Sequence, residues 1–308
     1  MTTDPRVIPS CLDELRKREL AGGGVSDRPG GGFRPDATAW SILAISAVGK
    51  WPDMNERGRS RLSDHQLPDG RVSLSRDHPE AYWPTPLAAI AWHGSPRHRE
   101  CQVLATRFLL STAGRHFESG PDAAVSHDTS LRGWAWISGT HSMIEPTAQS
   151  VIALKVSGHG EHDRTREAIR MVLDRQLPHG GWNYGNTLVY GQELYPQPGY
   201  TGVALCALAG TVPEKEVSKS LEYLRMKAPG LRTPFSLGWA LLGLRAWGIR
   251  SPDYRAWILD TLKRQGKYGP YDTSNLSILL FALSPKAEIL WSANRKNPNP
   301  APERDGKG

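Results

Sequence analysis

The chain is short of several things, and each shortage excludes a class of protein. Only three cysteines occur in 308 residues, Cys11, Cys101 and Cys206. They lie too far apart for a disulfide framework or a CxxC zinc site. No apolar run approaches the length of a membrane span. Asp4 and Asp13 fall where a secretion signal would need an apolar core, so a reduced cytoplasmic compartment is expected. Dense basic blocks are also missing. Lys and Arg number 38 against 31 Asp and Glu, and the resulting charge of +7 is too dispersed for a dedicated nucleic-acid binder. The ten histidines form no HxxxH or HxH pair, and no aspartate-rich magnesium motif appears, so neither a metal nor a cofactor is expected. Against this background tryptophan stands out, with 11 residues against 9 Tyr and 5 Phe.

What the chain does have is a repeat. Six segments run from Gly or Pro with aromatics, through Thr or Ser, into a small-residue-rich apolar stretch: GGFRPDATAWSILAI, EAYWPTPLAAIAW, MIEPTAQSVIAL, QPGYTGVALCAL, TPFSLGWALLGL and GPYDTSNLSILLFAL. The hydroxyls Thr38, Thr85, Thr147, Thr201, Ser236 and Thr273 mark them, and their position predicts helix N-caps. Apolar residues nearly all round predict helices buried on both sides. Amphipathic segments lie between them; Val217, Leu221 and Leu224 form one apolar face, and Ala168, Ile169, Val172 and Leu173 another. Six apolar helices wrapped by six amphipathic ones make a single all-α (α/α)6 toroid. A solenoid would use the same helices, but burial on every side favours closure. The toroid is expected over residues 10–285, with a flexible segment 1–9 before it and a polar, Pro-rich, disordered tail 286–308 after it. The pattern Q-x-x-x-G-x-(large) recurs at Gln66–Val72, Gln176–Trp182 and Gln265–Tyr271, and reads as a staple between repeats.

The glutamine pattern and the Thr-Ala helix start resemble the repeats of squalene-hopene cyclases and protein prenyltransferase β-subunits over nearly the whole folded chain. The resemblance implies two chemistries. Zinc prenyltransferases use an Asp, a Cys and a His, but the YHT-like segment is Tyr271-Asp272-Thr273 here and no DxC pair exists. Class II terpene cyclases protonate their substrate from a DxDD motif before Thr-Ala. Here Arg34-Pro35-Asp36-Ala37-Thr38-Ala39 retains the middle acid as Asp36 but places Arg34 and Ala37 where the family has Asp. An adjacent guanidinium stabilises a carboxylate and opposes proton storage.

The position two residues before each hydroxyl gives Asp36, Trp83, Glu145, Gly199, Pro234 and Tyr271. In a toroid these positions recur around one rim, where positive helix ends favour acids. Asp36 and Glu145 are therefore the candidate acids, with Asp272 one step beyond Tyr271. Two tryptophans and Pro146 around Glu145 make an apolar setting that raises its pKa. Phe33, Tyr82, Trp83, Trp134, Trp136, His141, Trp182, Tyr184, Tyr200, Tyr271 and Asp272 are the candidate ligand contacts. Trp40, Trp92, Trp239 and Trp247 fall inside apolar helices and read as core. The resemblance implies an apolar, isoprenoid-like ligand, acid-initiated cyclisation if the protein is an enzyme, and leaves peripheral membrane contact open. Two other functions fit the same residues: a non-catalytic binding toroid, supported by Arg34 and Ala37, and a carbohydrate-active toroid with Asp36 and Glu145 as its carboxylate pair.

Overall fold

The computed structural model describes residues 6–118, 120 and 125–292. Helices follow one another in outer–inner pairs. The first pair is α1 (Val7–Lys17) and α2 (Pro35–Val48), followed by α3 (Pro52–His65) and α4 (Thr85–Trp92). Then come α5 (Arg99–Ser111) with α6 (Ile144–Val156), α7 (Asp163–Asp174) with α8 (Pro198–Leu208), and α9 (Glu214–Lys227) with α10 (Pro234–Ala246). The last outer helix, α11 (Tyr254–Lys263), runs through the single turn α12 (Gln265–Tyr268) into the inner helix α13 (Thr273–Ala282). A hairpin of β1 (Leu188–Val189) and β2 (Gln192–Glu193) decorates the loop before α8.

Each even-numbered helix from α2 to α10 packs on the next, α10 packs on α13, and α13 returns to α2, so the inner ring is closed. The expected (α/α)6 toroid is the observed architecture. The inner helices owe their place to composition: every residue of α4 is buried, as are Thr201–Leu208 of α8. Outer helices bury one stripe only. In α9 the stripe is Val217, Ser220, Leu221 and Leu224, with the charged side chains left outside.

The repeat threonines do not cap their helices. They sit inside the first turn and tie the helix to the loop before it. Thr38 Oγ1 accepts from Val25 N–H (3.0 Å) and donates to the carbonyl of the same residue. Thr85 treats Val72 the same way, Thr147 treats Trp134, and Thr201 treats Trp182. One hydroxyl, being both donor and acceptor, bonds both polar groups of the loop residue, whose carbonyl in Val25, Trp134 and Trp182 also accepts a backbone N–H, from Arg34, Met143 and Gln197. This close approach explains the glycine before the large residue, since a Cβ on Gly133 would collide with the Thr147 hydroxyl.

The glutamines do act as staples. Gln66 Nε2 donates to the carbonyls of Gly70 (2.8 Å) and Cys101 (2.9 Å), and Gln176 Nε2 donates to Ser220 on α9 (2.7 Å). Ring closure uses Thr273, whose hydroxyl donates to the Ser26 carbonyl (2.7 Å) and accepts from Arg18 (3.1 Å).

The tail expectation needs correction at its start. Residues 285–288 form a 3-10 turn, and α14 (Ile289–Ser292) packs on α6 and α8 with Leu290 and Trp291 buried. Two large apolar side chains in a stretch read as polar are enough to hold it. At the other end, α1 begins at Val7, inside the segment 1–9 expected to be flexible. Residues 1–5 and 293–308, the rest of both terminal expectations, lie outside the described residues. No helix among the described residues is long and apolar enough to cross a membrane.

Candidate functional site

A cavity of about 210 Å³ opens at the end of the barrel formed by the inner-helix N-termini. Its positions follow a helical rule. Asp36 and Trp40 on α2, Glu145 and Gln149 on α6, Phe235 and Trp239 on α10, and Ser274 and Ile278 on α13 all line it. Each pair is four residues apart, one helical turn, so these four inner helices each present two levels of the same face. Trp83, Asp272, Asn275, Asp27 and Arg34 complete the lining from the loops and first turns.

The two candidate acids both line the cavity, in different states. Asp36 is buried, and Arg34 holds both its oxygens: Nε donates to Oδ1 and Nη2 to Oδ2, each at 2.9 Å. This bidentate pair uses the whole carboxylate. Glu145 has no cationic partner. Its carboxyl accepts from the Gln149 amide (3.1 Å) and from the Trp136 indole N–H, and burial raises its pKa from 4.5 to about 7 against those two hydrogen bonds. At neutral pH it is therefore shared between acid and base forms.

Asp272 lines the cavity and also caps α13, its carboxylate accepting from Asn275 N–H and Nδ2 (2.7 Å each). Asp27, not picked out by the repeat register, is a second loop acid of the lining. Burial raises its pKa, and the nearby Asp272 carboxylate adds to the shift. Four acids thus share the cavity with one arginine.

Most of the expected aromatic contacts are elsewhere. Trp134 and Trp182 are wholly buried between the rings, their indole N–H groups donating to the carbonyls of Leu109 (3.1 Å) and Val172 (2.7 Å) on outer helices. The Arg164 guanidinium covers the Trp134 ring at 3.9 Å. Tyr82 packs edge-on against Phe108 of α5, and Phe33 sits between His65 and Arg61 of α3. Tyr271 points outward too, donating to the Thr261 carbonyl of α11 (2.8 Å). His141 is exposed beside Phe117, away from the cavity. A buried indole or phenol needs an acceptor, and the outer-helix carbonyls supply it.

Trp83 lines the cavity as expected, and Trp136 reaches it through Glu145. Tyr184 and Tyr200 approach indirectly. Tyr184, partly exposed, meets Tyr200 edge-on at 5.4 Å, and Tyr200 meets Phe235 at 5.8 Å, so a file of rings runs from the surface to the cavity wall. Burial, and then the Glu145 charge, raise the Tyr200 pKa to about 12.

The register fails on the last three inner helices. Gly199 presents no side chain; a Cβ there would collide with the Phe235 ring, so the glycine makes room for it. On α10 and α13 the lining comes one or more residues later than expected, from Phe235, Ser274 and Asn275. Trp40 and Trp239, expected as core, meet edge-on at 5.5 Å and line the cavity. Their place one turn below Asp36 and Phe235 is the sequence signal that identifies them. Among the described residues, no group of three His, Cys, Asp or Glu side chains is arranged to hold a metal ion.

No family model and no curated protein matches the sequence. Solved structures do match its fold. The GH76A α-1,6-mannanase of Salegentibacter sp. HEL1_6, as an inactive variant with α-1,6-mannotriose, aligns over 93% of this chain and 99% of its own, at 12% identity and a TM-score of 0.61. A GH76 α-mannanase from Bacteroides thetaiotaomicron aligns over 94% of both chains, at 9% identity and a TM-score of 0.57. A type II terpene cyclase from Scytonema, a variant in complex with its product merosterolic acid A, aligns over 94% and 96%, at 13% identity and a TM-score of 0.56. At such identities the likeness establishes the fold: the chain is an α/α toroid, an architecture shared by terpene cyclases and glycoside hydrolases alike.

Proposed function

We propose that the central cavity binds a hydroxyl-rich ring, a carbohydrate residue, and that Glu145 is its general acid and base. The composition of the lining supports this reading most. Carboxyl and amide groups of Asp27, Asp272, Glu145, Gln149 and Asn275 suit the hydroxyls of a sugar, and Trp83, Trp239 and Phe235 suit its C–H faces. A carboxyl near pKa 7 is tuned to give and take a proton at an oxygen leaving group. With Asp36 tied to Arg34, the second carboxylate that glycoside hydrolysis needs is Asp27 or Asp272. At about 210 Å³ the cavity is smaller than the roughly 300–1,000 Å³ of drug-sized ligand sites, so it takes one ring rather than a folded linear chain. The mannotriose-bound structural neighbour is consistent with that occupant.

The terpenoid reading has its own support in the edge-on Trp40–Trp239 pair, which would stabilise a developing cation, and in the product-bound terpene cyclase neighbour. Its weakness is the acid. Protonating an alkene demands a strong proton donor, whereas Glu145 is raised to about 7 and Asp36 is paired with a guanidinium.

Calorimetric titration and hydrolysis assays with manno-oligosaccharides, α-1,6-mannotriose among them, test the choice against linear isoprenoids assayed in parallel. Saccharide binding that survives Glu145→Gln, with turnover reduced by about 10²–10⁴, is expected. Isoprenoid turnover without saccharide binding overturns the proposal. Binding without turnover in the wild type removes Glu145's catalytic role and leaves a binding toroid.

A further inference from the structure

A second cavity, also of about 210 Å³, lies among the loops before α6 and after α7, and its chemistry is opposite to that of the first. Arg115, Arg175, His127 and His141 line it, and among the described residues no carboxylate does. Arg175 is buried and held in place, its Nη1 donating to the Gly185 carbonyl at 2.6 Å. Of the nearby acids, Asp128 accepts from Ser130 N–H and Oγ, whereas Asp174 accepts from Asp128 N–H at 3.0 Å and is ion-paired with Arg175, 3.6 Å from its Nε, leaving the other guanidinium nitrogens to the pocket. Arg115 stands exposed at the rim, and no acid among the described residues pairs with it.

His127 is the most telling group. It is only 7% exposed, and its Nδ1 has no hydrogen-bond partner among the described residues. Buried polar atoms are seldom left so, and one on a cavity wall points to a missing acceptor or donor. Burial and the Arg175 charge push the imidazole down to about pKa 4, against a small opposing effect of Asp128. Phe117, Val125 and Met143 supply an apolar side, which a bare ion would not use.

We infer that this pocket is a binding site for an organic oxyanion, a phosphate or carboxylate carried on a small apolar body. Arg115 and Arg175 hold the anionic end, His127 and Thr129 lie within the same wall, and Phe117 and Met143 cover the body. Guanidinium groups, with several donors in a fixed fork, are suited to such oxygens. The site is separate from the central cavity and does not depend on what that cavity binds.

Phenyl phosphate is a direct probe, titrated calorimetrically into the full chain beside inorganic phosphate and neutral benzyl alcohol. Saturable binding of phenyl phosphate is expected, tighter than that of inorganic phosphate, absent for benzyl alcohol and weakened by salt. Arg115→Ala, an exposed change, raises Kd at least tenfold, and His141→Gln raises it less; Glu145→Gln leaves it unchanged. Histidine NMR adds an independent readout. Arg175 and Asp128 act on His127, Arg115 and His141 share its pocket, Asp174 pairs with Arg175 behind it, and a bound anion moves its titration upward from about 4. No binding, equal affinity for inorganic phosphate, an unaltered Kd in Arg115→Ala, or loss of binding in Glu145→Gln would each overturn the inference.

Discussion

The two ends of the barrel obey the same electrostatics and reach opposite outcomes. At the helix C-termini the buried groups are cations. Lys155 donates to the carbonyls of Ala207 (2.9 Å) and Ala209 (2.6 Å), and Arg245 donates to those of Ala282 (2.7 Å) and Ser284 (3.0 Å). At the helix N-termini four acids gather around the cavity, as the macrodipole favours, while the buried Arg18, Arg164 and Arg175 bond the loops there. The far end turns these cations onto its own backbone, and the Trp291 ring of α14 lies against Arg245. The near end pairs one acid of four with Arg34 and leaves Glu145 and the loop acids along an open cavity. A charge satisfied by backbone builds the fold; one left facing a cavity is free to meet a ligand.

The largest expected effect lies at the C-terminal end. Trp291→Ala removes a side chain only 4% exposed and should cost about 3–5 kcal/mol of stability, measured by urea denaturation, without changing ligand affinity in the central cavity. An affinity change would mean that the two ends are coupled rather than separate. Gly199→Ala should come next. Its methyl group collides with Phe235, so overpacking costs about 1–3 kcal/mol and displaces a cavity wall. Loss of affinity beyond the loss of stability, in paired calorimetry and denaturation, would show that this ring shapes the site.

A third effect is in pH dependence. Glu145 has a folded pKa of about 7, above its ordinary 4.5, so the folded state binds its proton more tightly. The stability that proton supplies is complete below 4.5, declines as pH rises and is gone above about 7. Glu145→Gln should abolish this decline, so that its stability relative to wild type rises between those values and then levels off. Parallel curves across that window, from denaturation at several pH values, would show that burial does not raise the Glu145 pKa.

Much of this was legible before any coordinates. Repeat spacing and one-sided apolar stripes predicted the alternating rings, because burial on two faces or one leaves a direct mark on composition. Glu145 was legible as well, since its helix start and apolar neighbours are local. Asp27 was not, because it belongs to no repeat and reaches the cavity only where α13 closes on the first loop, Thr273 N–H donating to the Asp27 carbonyl at 2.9 Å. The tryptophans of the rim loops misled. Trp134 and Trp182 share those loops with true lining residues, yet outer-helix carbonyls draw their indoles away; Trp40 and Trp239 are core as they read, and also form the floor of the cavity.

Sequence alone determined the helices, their order and their pairing into inner and outer layers, because these follow from periodicities of a few residues and from the burial of apolar surface. Which ring faces inward, which acid keeps a partner and which is left to titrate were decided by tertiary structure. Those outcomes depend on single hydrogen bonds between segments far apart in the chain. Arg34 lies two residues from Asp36 and could be anticipated; the enclosure that lifts Glu145 to about 7 is assembled only when the ring closes.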